Sequence, residues 1–492
     1  MPKAAEKSGI VSVAGRYLGG LSVGVAVCAS LAGCSLGKPP AGSDLVHGVM
    51  PASLPPPPAL WTASTSATTS VPGPVTGGWL RSFEAPGLEE LVWEALRYNV
   101  DFQIAAVRVE QAAGYAKLAG ASVWPAVGIG GRASEGGGDS ALAGAYAAFS
   151  WELDLWGRIR SGRAAAEADY ASAEADFRYA RESLAALVVK SWFLATEARQ
   201  QRELAQEMIR ASERLLSLAN DRQRVGLGDD LEIAQAEASL AAARDTAQRL
   251  EAAYRQAVRA LELLVGRYPK AELEVPSQFA RMPGPVPVGL PSELLERRPD
   301  VIAAERRVAA AFNRVGEAKA ARLPRLALTA NVSTVSSELF VLQNTDNPVW
   351  SVAGALLAPI FDGGALKTRA EIRTSEQKEA LARFAQVGAR AFGEAETALT
   401  EEFSAEARAA FLARAIAENE RALAIAENRY RIGSVDLRAV EQQKLALAAA
   451  RSTQLRVEAE RRVQRVNVHL ALGGNFEHTE AAAVSYPATS GR

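Results

Sequence analysis

Short alternating stretches and very long uninterrupted ones organise this chain. From residue 143 to 155 the pattern has a period of two. Ala143, Ala145, Ala147, Phe149, Trp151, Leu153 and Leu155 share one face, while Gly144, Tyr146, Ala148, Ser150, Glu152 and Asp154 share the other. Residues 325–333 repeat the pattern, with Leu326, Leu328, Ala330 and Val332 opposing Arg325, Thr329, Asn331 and Ser333. Segments 126–132 and 349–361 alternate more weakly, with Val127, Ile129, Trp350, Val352, Leu356 and Ile360 on the apolar side. This period predicts β-strands over about 125–133, 142–155, 324–333 and 349–361, paired as two hairpins with tips at 134–140 and 333–347. Strands of about nine to twelve residues have the length of tilted membrane-crossing strands.

The rest of the pattern is helical. A helix over about 87–122 precedes the first hairpin and one over about 291–322 precedes the second. Neither glycine nor proline interrupts 163–225 or 229–265. The stretch 365–472 has no proline, and Gly388 and Gly393 are its only glycines before Gly433. A helix of about 65 residues is about 100 Å long, and such length predicts coiled-coil-like packing. The runs Val225-Gly226-Leu227-Gly228-Asp229 and Ile432-Gly433-Ser434-Val435-Asp436 read as reversals between paired helices. Glycine supplies the turn conformation there and aspartate caps the next helix.

These textures occur twice. At an offset of 199, Tyr98-Asn99-Val100-Asp101 corresponds to Arg297-Arg298-Pro299-Asp300, Arg108 to Arg307, and Trp124-Pro125 to Leu323-Pro324. At an offset of 207, Gly157 corresponds to Gly364, Arg224-Val225-Gly226 to Arg431-Ile432-Gly433, Gln235 to Gln442, and Gly266 to Gly473. The body therefore reads as two copies of one unit, 81–285 and 286–475, with helix pairs over 157–266 and 364–473.

The ends have a different texture. Lys3, Lys7 and Arg16 precede an uncharged stretch from Tyr17 to Leu36, which reads as a secretory signal over 1–33. Its last residues, Leu31-Ala32-Gly33-Cys34, resemble the bacterial lipobox, which implies cleavage after Gly33 and lipid attachment to Cys34. Ser35 follows, where an aspartate would favour inner-membrane retention. Residues 34–80, rich in Pro, Ser and Thr, read as a tether with no core of its own, and 476–492 as a flexible tail.

Composition narrows the chemistry. The 492 residues carry a net charge of −1, three histidines and two cysteines, one of them (Cys28) inside the signal. No metal site, cofactor or disulfide framework is expected, and nothing favours nucleic acid. No nucleophile, base and orienting group fall together, so an enzyme is not expected. Gly128-Ile129-Gly130-Gly131 lacks the spacing of a nucleotide loop.

Four strands are too few to close a membrane barrel, whose smallest forms need about eight. Open edges in lipid cost several kcal/mol per unsatisfied backbone group. If these strands enter a membrane, several chains must share one barrel.

The run Leu290-Pro291-Ser292-Glu293-Leu294-Leu295-Glu296-Arg297-Arg298-Pro299-Asp300, with Ala304-Glu305, Gly316, Ala318, Ala320 and Leu323-Pro324, resembles the signature of the TolC/OprM family of outer-membrane factors. Trp151-Glu152-Leu153-Asp154-Leu155-Trp156-Gly157-Arg158 and Pro359-Ile360-Phe361-Asp362-Gly363-Gly364 resemble that family's strand-to-helix junctions, and Arg429-Tyr430-Arg431-Ile432-Gly433 its helical turn. The lipobox matches its NodT-type lipoprotein branch. The resemblance covers about 80–475. It implies a mixed α and β membrane protein: a homotrimer whose twelve-stranded outer-membrane β-barrel, four strands per subunit, continues as a long periplasmic α-helical barrel. It further implies an exit duct for small molecules, fed by a periplasmic adaptor and an inner-membrane pump of the RND type. A type I secretion outlet shares this architecture. A periplasmic coiled-coil scaffold or adaptor explains the helices but not the alternating segments.

The resemblance also nominates gate and adaptor-contact residues at the helical turns: Arg224, Gly226, Asp229, Asp230, Tyr430, Arg431, Gly433, Asp436, Arg438 and Gln442. In the lipoprotein branch a leucine and an aspartate commonly stand five and nine positions after the turn glycine. Here those positions hold Leu231 and Gln235 in the first copy and Arg438 and Gln442 in the second, so that carboxylate is missing. Asp229, Asp230, Asp436 and Arg438 read either as a different polar closure or as solvated helix caps. Tyr430 with Arg429 and Arg431 reads either as an adaptor contact or as a cross-link between helices. Trp124, Trp151, Trp156 and Trp350 fall near strand ends, where an aromatic girdle would sit, with core packing against helix ends the other reading for Trp124 and Trp156.

Overall fold

The computed structural model describes residues 39–40, 61–62, 75, 77–134, 142–289, 291–336 and 349–477. Cys34, the signal before it, most of the tether and residues 135–141 and 337–348 of the hairpin tips lie outside the described residues, while 333–336, expected in the second tip, continue the strand before it. The described residues divide into two units, one of 112–171 and 306–382, the other of those within 61–111, 172–305 and 383–477.

The first unit holds the sheet. Strands β1 (Ala126–Ser134), β2 (Leu142–Leu153), β3 (Arg325–Ser336) and β4 (Val349–Leu357) are antiparallel in the order β1-β2-β3-β4. Register sorts the side chains by face. Val127, Phe149, Ala330 and Val352 lie abreast, as do Ile129, Ala147, Val332 and Trp350. The intervening rows, such as Gly128, Ala148, Asn331 and Ser351, are small or polar. Ile129, Val352 and Trp350 on the apolar face are more than two-thirds exposed. Strands β2 and β4 stop short of the alternation that marks them. At Asp154 the carboxylate turns to accept the backbone N–H groups of Ile159 (3.1 Å) and Arg160 (2.9 Å), opening the next helix. After Leu357, Pro359 has no N–H for a ladder.

Of the four tryptophans near strand ends, Trp124 and Trp350 are exposed. Trp151 donates its indole N–H to Val123 O (3.0 Å) and Trp156 to Pro324 O (2.6 Å), so these two tie strands to helix ends.

The helices are α1 (Leu88–Tyr98), α2 (Val100–Ala121), α3 (Arg158–Arg224), α4 (Asp230–Leu264), α5 (Leu294–Arg297), α6 (Pro299–Ala320), α7 (Ala365–Arg431) and α8 (Leu437–Ala471). Helices α3 and α7 each have 67 residues, α4 and α8 each 35, and α2 and α6 each 22. The expected first helix is split at Asn99, whose side chain accepts from Phe102 N (3.0 Å) and donates to Leu264 O (3.0 Å). Its counterpart is split at Arg298, because Pro299 forces the preceding residue out of helical geometry.

The core of the second unit gathers Phe83, Leu88, Val92, Phe193 and Leu261, all at most 1% exposed. Each large side chain buried there contributes about 1.5–3 kcal/mol. Gly266 closes α4 at φ +80°, and a Cβ there would stand 2.7 Å from the Tyr98 Cβ, so both conformation and close approach demand glycine.

Two segments expected to lack a core join this one. Trp61, in the tether, is 1% exposed, donates its indole N–H to Val288 O (3.0 Å) and lies 6.4 Å from the Phe392 ring. Val75, Trp79 and Leu80 are also buried. At the other end Phe476 is buried, its N–H donates to Glu182 (3.1 Å), and Glu477 pairs with Arg181. Proline and small polar residues conceal these anchors from composition, because each acts through a partner far away in the chain.

Candidate functional site: the helix-hairpin turns

Both turns are built alike. Gly226 (φ +74°) and Gly433 (φ +77°) take the left-handed conformation. Leu227 N then bonds Arg222 O, and Ser434 N bonds Arg429 O, each at 2.8 Å, satisfying carbonyls at the helix ends. The next helices start on Asp229, whose carboxylate accepts from Glu232 N (2.9 Å), and on Asp436, which accepts from Ala439 N (3.1 Å). These two aspartates are therefore helix caps. Asp230 accepts a bond from Gln223 (2.5 Å), and Arg224 pairs with Asp221 (2.7 Å) on the surface. Arg431, Arg438 and Gln442 are exposed.

The turns meet through Tyr430, which is fully buried and cross-links the helix pairs. Its ring packs with Leu215, Ala219, Ala236, Leu437 and Val440. Its hydroxyl donates to Glu232 (3.0 Å), and burial followed by that bond pushes the phenol up to about 12. Arg222 lies over the ring, 4.2 Å from its centroid, and donates to Tyr430 O (2.7 Å) and Leu227 O (2.9 Å). Arg222 and Glu232 were not singled out from the sequence. Their signal was position: Arg222 falls one turn before a left-handed glycine, where a long donor reaches free carbonyls.

Above the turns runs a polar bridge that sequence reading also missed. Lys444, nearly buried, donates to Ser212 Oγ (2.9 Å) and Glu441 (3.2 Å), and Ser239 donates to the other Glu441 oxygen (2.9 Å). The clue was a lysine at 444 within the apolar stripe Leu437, Val440 and Leu447. The bridge borders a groove of about 630 Å³ between α3, α4 and α8, lined by Leu204, Met208, Ala242, Leu250 and Ala449. Among the described residues no cluster of His, Cys, Asp and Glu could hold a metal, and no helix is long and apolar enough to cross a membrane. The turns are built from caps, a buried cross-link and exposed charges.

Comparison with known proteins agrees with this architecture. The model of the outer membrane efflux protein family matches twice, over residues 91–267 and 290–474. The pyoverdine export outer membrane protein OpmQ of Pseudomonas putida is 30% identical over 467 residues, covering 91% of this chain and 96% of that protein. The cation efflux system protein CusC of Escherichia coli O6:H1 is 28% identical over 407 residues, covering 81% and 88%. Among solved structures, the outer-membrane channel OprN superposes with a TM-score of 0.79 at 26% identity, covering 86% of this chain and 98% of that one. The chain belongs to the outer membrane efflux protein family, and it is an outer-membrane efflux channel subunit.

Proposed function

We propose that three copies of this chain join their sheets into one twelve-stranded barrel, and that their long helices continue it as a periplasmic tunnel. The observation that carries this reading is the sheet itself. β1 and β4 are hydrogen-bonded on one side only, and one face presents Ile129, Trp350 and Val352 outward. Such edges are tolerable in lipid only when another chain completes them. The duct passes small molecules received from a periplasmic adaptor and an inner-membrane pump of the RND type. A lipid on Cys34 adds a second attachment to the outer membrane. At the turns, the exposed Arg438, Gln442 and Asp230 form the polar closure, with Arg224 and Arg431 on the adaptor side.

Reconstitution of the purified, lipidated protein into planar bilayers tests the reading. Discrete conductance steps from a trimeric species are expected. A folded trimer that inserts yet never conducts under any applied potential would overturn it.

A further inference from the structure

The face of the sheet opposite Ile129, Trp350 and Val352 is lined by small side chains, with one aromatic exception. Ala126, Ser150, Thr329 and Ala353 lie abreast on it, then Gly128, Ala148, Asn331 and Ser351, then Gly130, Tyr146, Ser333 and Val349. These rows run from the helix ends toward the hairpin tips, since β1 follows α2 and continues to Ser134. Tyr146 is the aromatic residue, in the outermost of the three rows.

Its ring does not stand away from the sheet. It lies across Gly130, the residue directly opposite on β1: a Cβ at Gly130 would meet the Tyr146 Cζ and Oη at 2.6 Å and Cε1 at 2.9 Å. Gly130 has none of the positive φ values found at the turn glycines, so the close approach of the ring is what requires glycine there. Gly128, on the same face of the same strand, is the contrast, because a Cβ there would meet nothing within 4 Å. An aromatic ring laid on a strand glycine covers backbone that would otherwise be bare. Tyr146 is nevertheless 42% exposed, so the side of the ring away from Gly130 stays open. A tyrosine has few staggered positions for its ring. A Cβ at 130 closes the one in use, and on the β3 side Ser333 already carries a side chain. The ring then has to leave the sheet surface.

We propose that Gly130 and Tyr146 together set the bore of the barrel toward its outer end. With glycine at 130 the ring lies flat against the wall; with any larger residue it projects into the lumen, once in every subunit. The pair is thus a size-determining element for the small molecules that leave the duct, and it acts at the opposite end from the helical turns. This rests on the twelve-stranded reading above, which turns this face of the sheet inward.

The test measures passage from outside the cell, so that the helical turns at the far end do not enter. Ala355→Cys places a thiol on the same face, deeper than all three rows, beside Ala327. Intact cells are treated with a small membrane-impermeant maleimide or with one carrying a polyethylene glycol chain, against the chain without this cysteine as background. The small reagent should label Ala355→Cys throughout. Gly130→Ala should slow labelling by the polymer several-fold, Gly128→Ala should not, and Tyr146→Ala should cancel the effect of Gly130→Ala. Polymer labelling at the parental rate in an assembled Gly130→Ala trimer, or slowing that persists without the Tyr146 ring, overturns the proposal. Moving the ring reads the same rule without touching Gly130. Ala148→Tyr faces Gly128 and should leave polymer passage unchanged, whereas Ser150→Tyr faces Ala126 and should slow it several-fold. Equal slowing by both shows that the opposing glycine does not hold the ring, and the proposal falls. Failure of even the small reagent to reach Ala355→Cys overturns the reading of this face as an open lumen, and with it the barrel rather than the pair.

Discussion

The Arg222 guanidinium stands 4.2 Å from the centre of the Tyr430 ring and donates to the Tyr430 carbonyl at 2.7 Å, locking the first helix pair to the second. Its counterpart in the duplicated sequence, Arg429, is exposed. The two copies have therefore diverged at their turns, one supplying the buried cation and the other the ring.

Tyr430→Ala is expected to cost about 3–5 kcal/mol locally, the range for emptying a large buried aromatic. Tyr430→Phe keeps the ring and loses only the bond to Glu232, at about 1–2 kcal/mol. Hydrogen exchange at the turn amides measures both, and equal protection in the two variants would refute the cross-link.

The Lys444 bridge gives a second test. Glu441→Gln leaves a nearly buried ammonium without its ion partner, at an expected cost of about 3 kcal/mol. Lys444→Met with Glu441→Gln should recover most of that loss, since an apolar side chain suits the surrounding stripe. Thermal unfolding of the two variants and the parent in detergent shows whether recovery occurs.

Acid sensitivity should trace in part to His469. This ring stacks on Trp79 at 5.6 Å, and burial, reinforced by Arg465, pulls its imidazole down to about 3. The ordinary value for an unfolded chain is about 6.5. A folded value below the unfolded one means this contribution to stability is complete above about pH 6.5 and declines as pH falls toward 3. His469→Phe preserves stacking and should flatten stability across that window. An unchanged pH profile in denaturant titrations would remove His469 from the account.

At the turns, the proposed polar closure takes charge from the exposed Arg438, so Arg438→Ala should raise closed-state conductance and the influx of bulky antibiotics. Asp436→Ala removes a cap, at about 1 kcal/mol, and should loosen the start of α8. Wild-type conductance and influx in both variants would leave the closure without these residues.

Much of this protein was legible because its signals are local. Alternation marked both hairpins, and it also sorted their faces, since a strand's period is set by the backbone. The lengths of α3 and α7 followed from the absence of breakers, and their ends from Gly226 and Gly433. The turn aspartates illustrate a limit: Asp229 and Asp436 read equally as closure or as caps until their backbone partners were seen.

The sequence by itself determined the duplication, the four strands, the long helices and, for strands that enter a membrane, the need for partner chains, all of which rest on periodicity or on counting edges. Tertiary structure alone decided that Trp61 and Phe476 are core residues, that Tyr430 is buried, and that Lys444 and His469 lie inside. Each depends on residues more than 200 positions away, or on how helices rotate against one another, which no local pattern carries. The same holds for α2 and α6, equal in length: Ala303 and Arg314 of α6 meet Ser172 and Asp169 of α3, while Val107, Tyr115 and Leu118 of α2 are exposed.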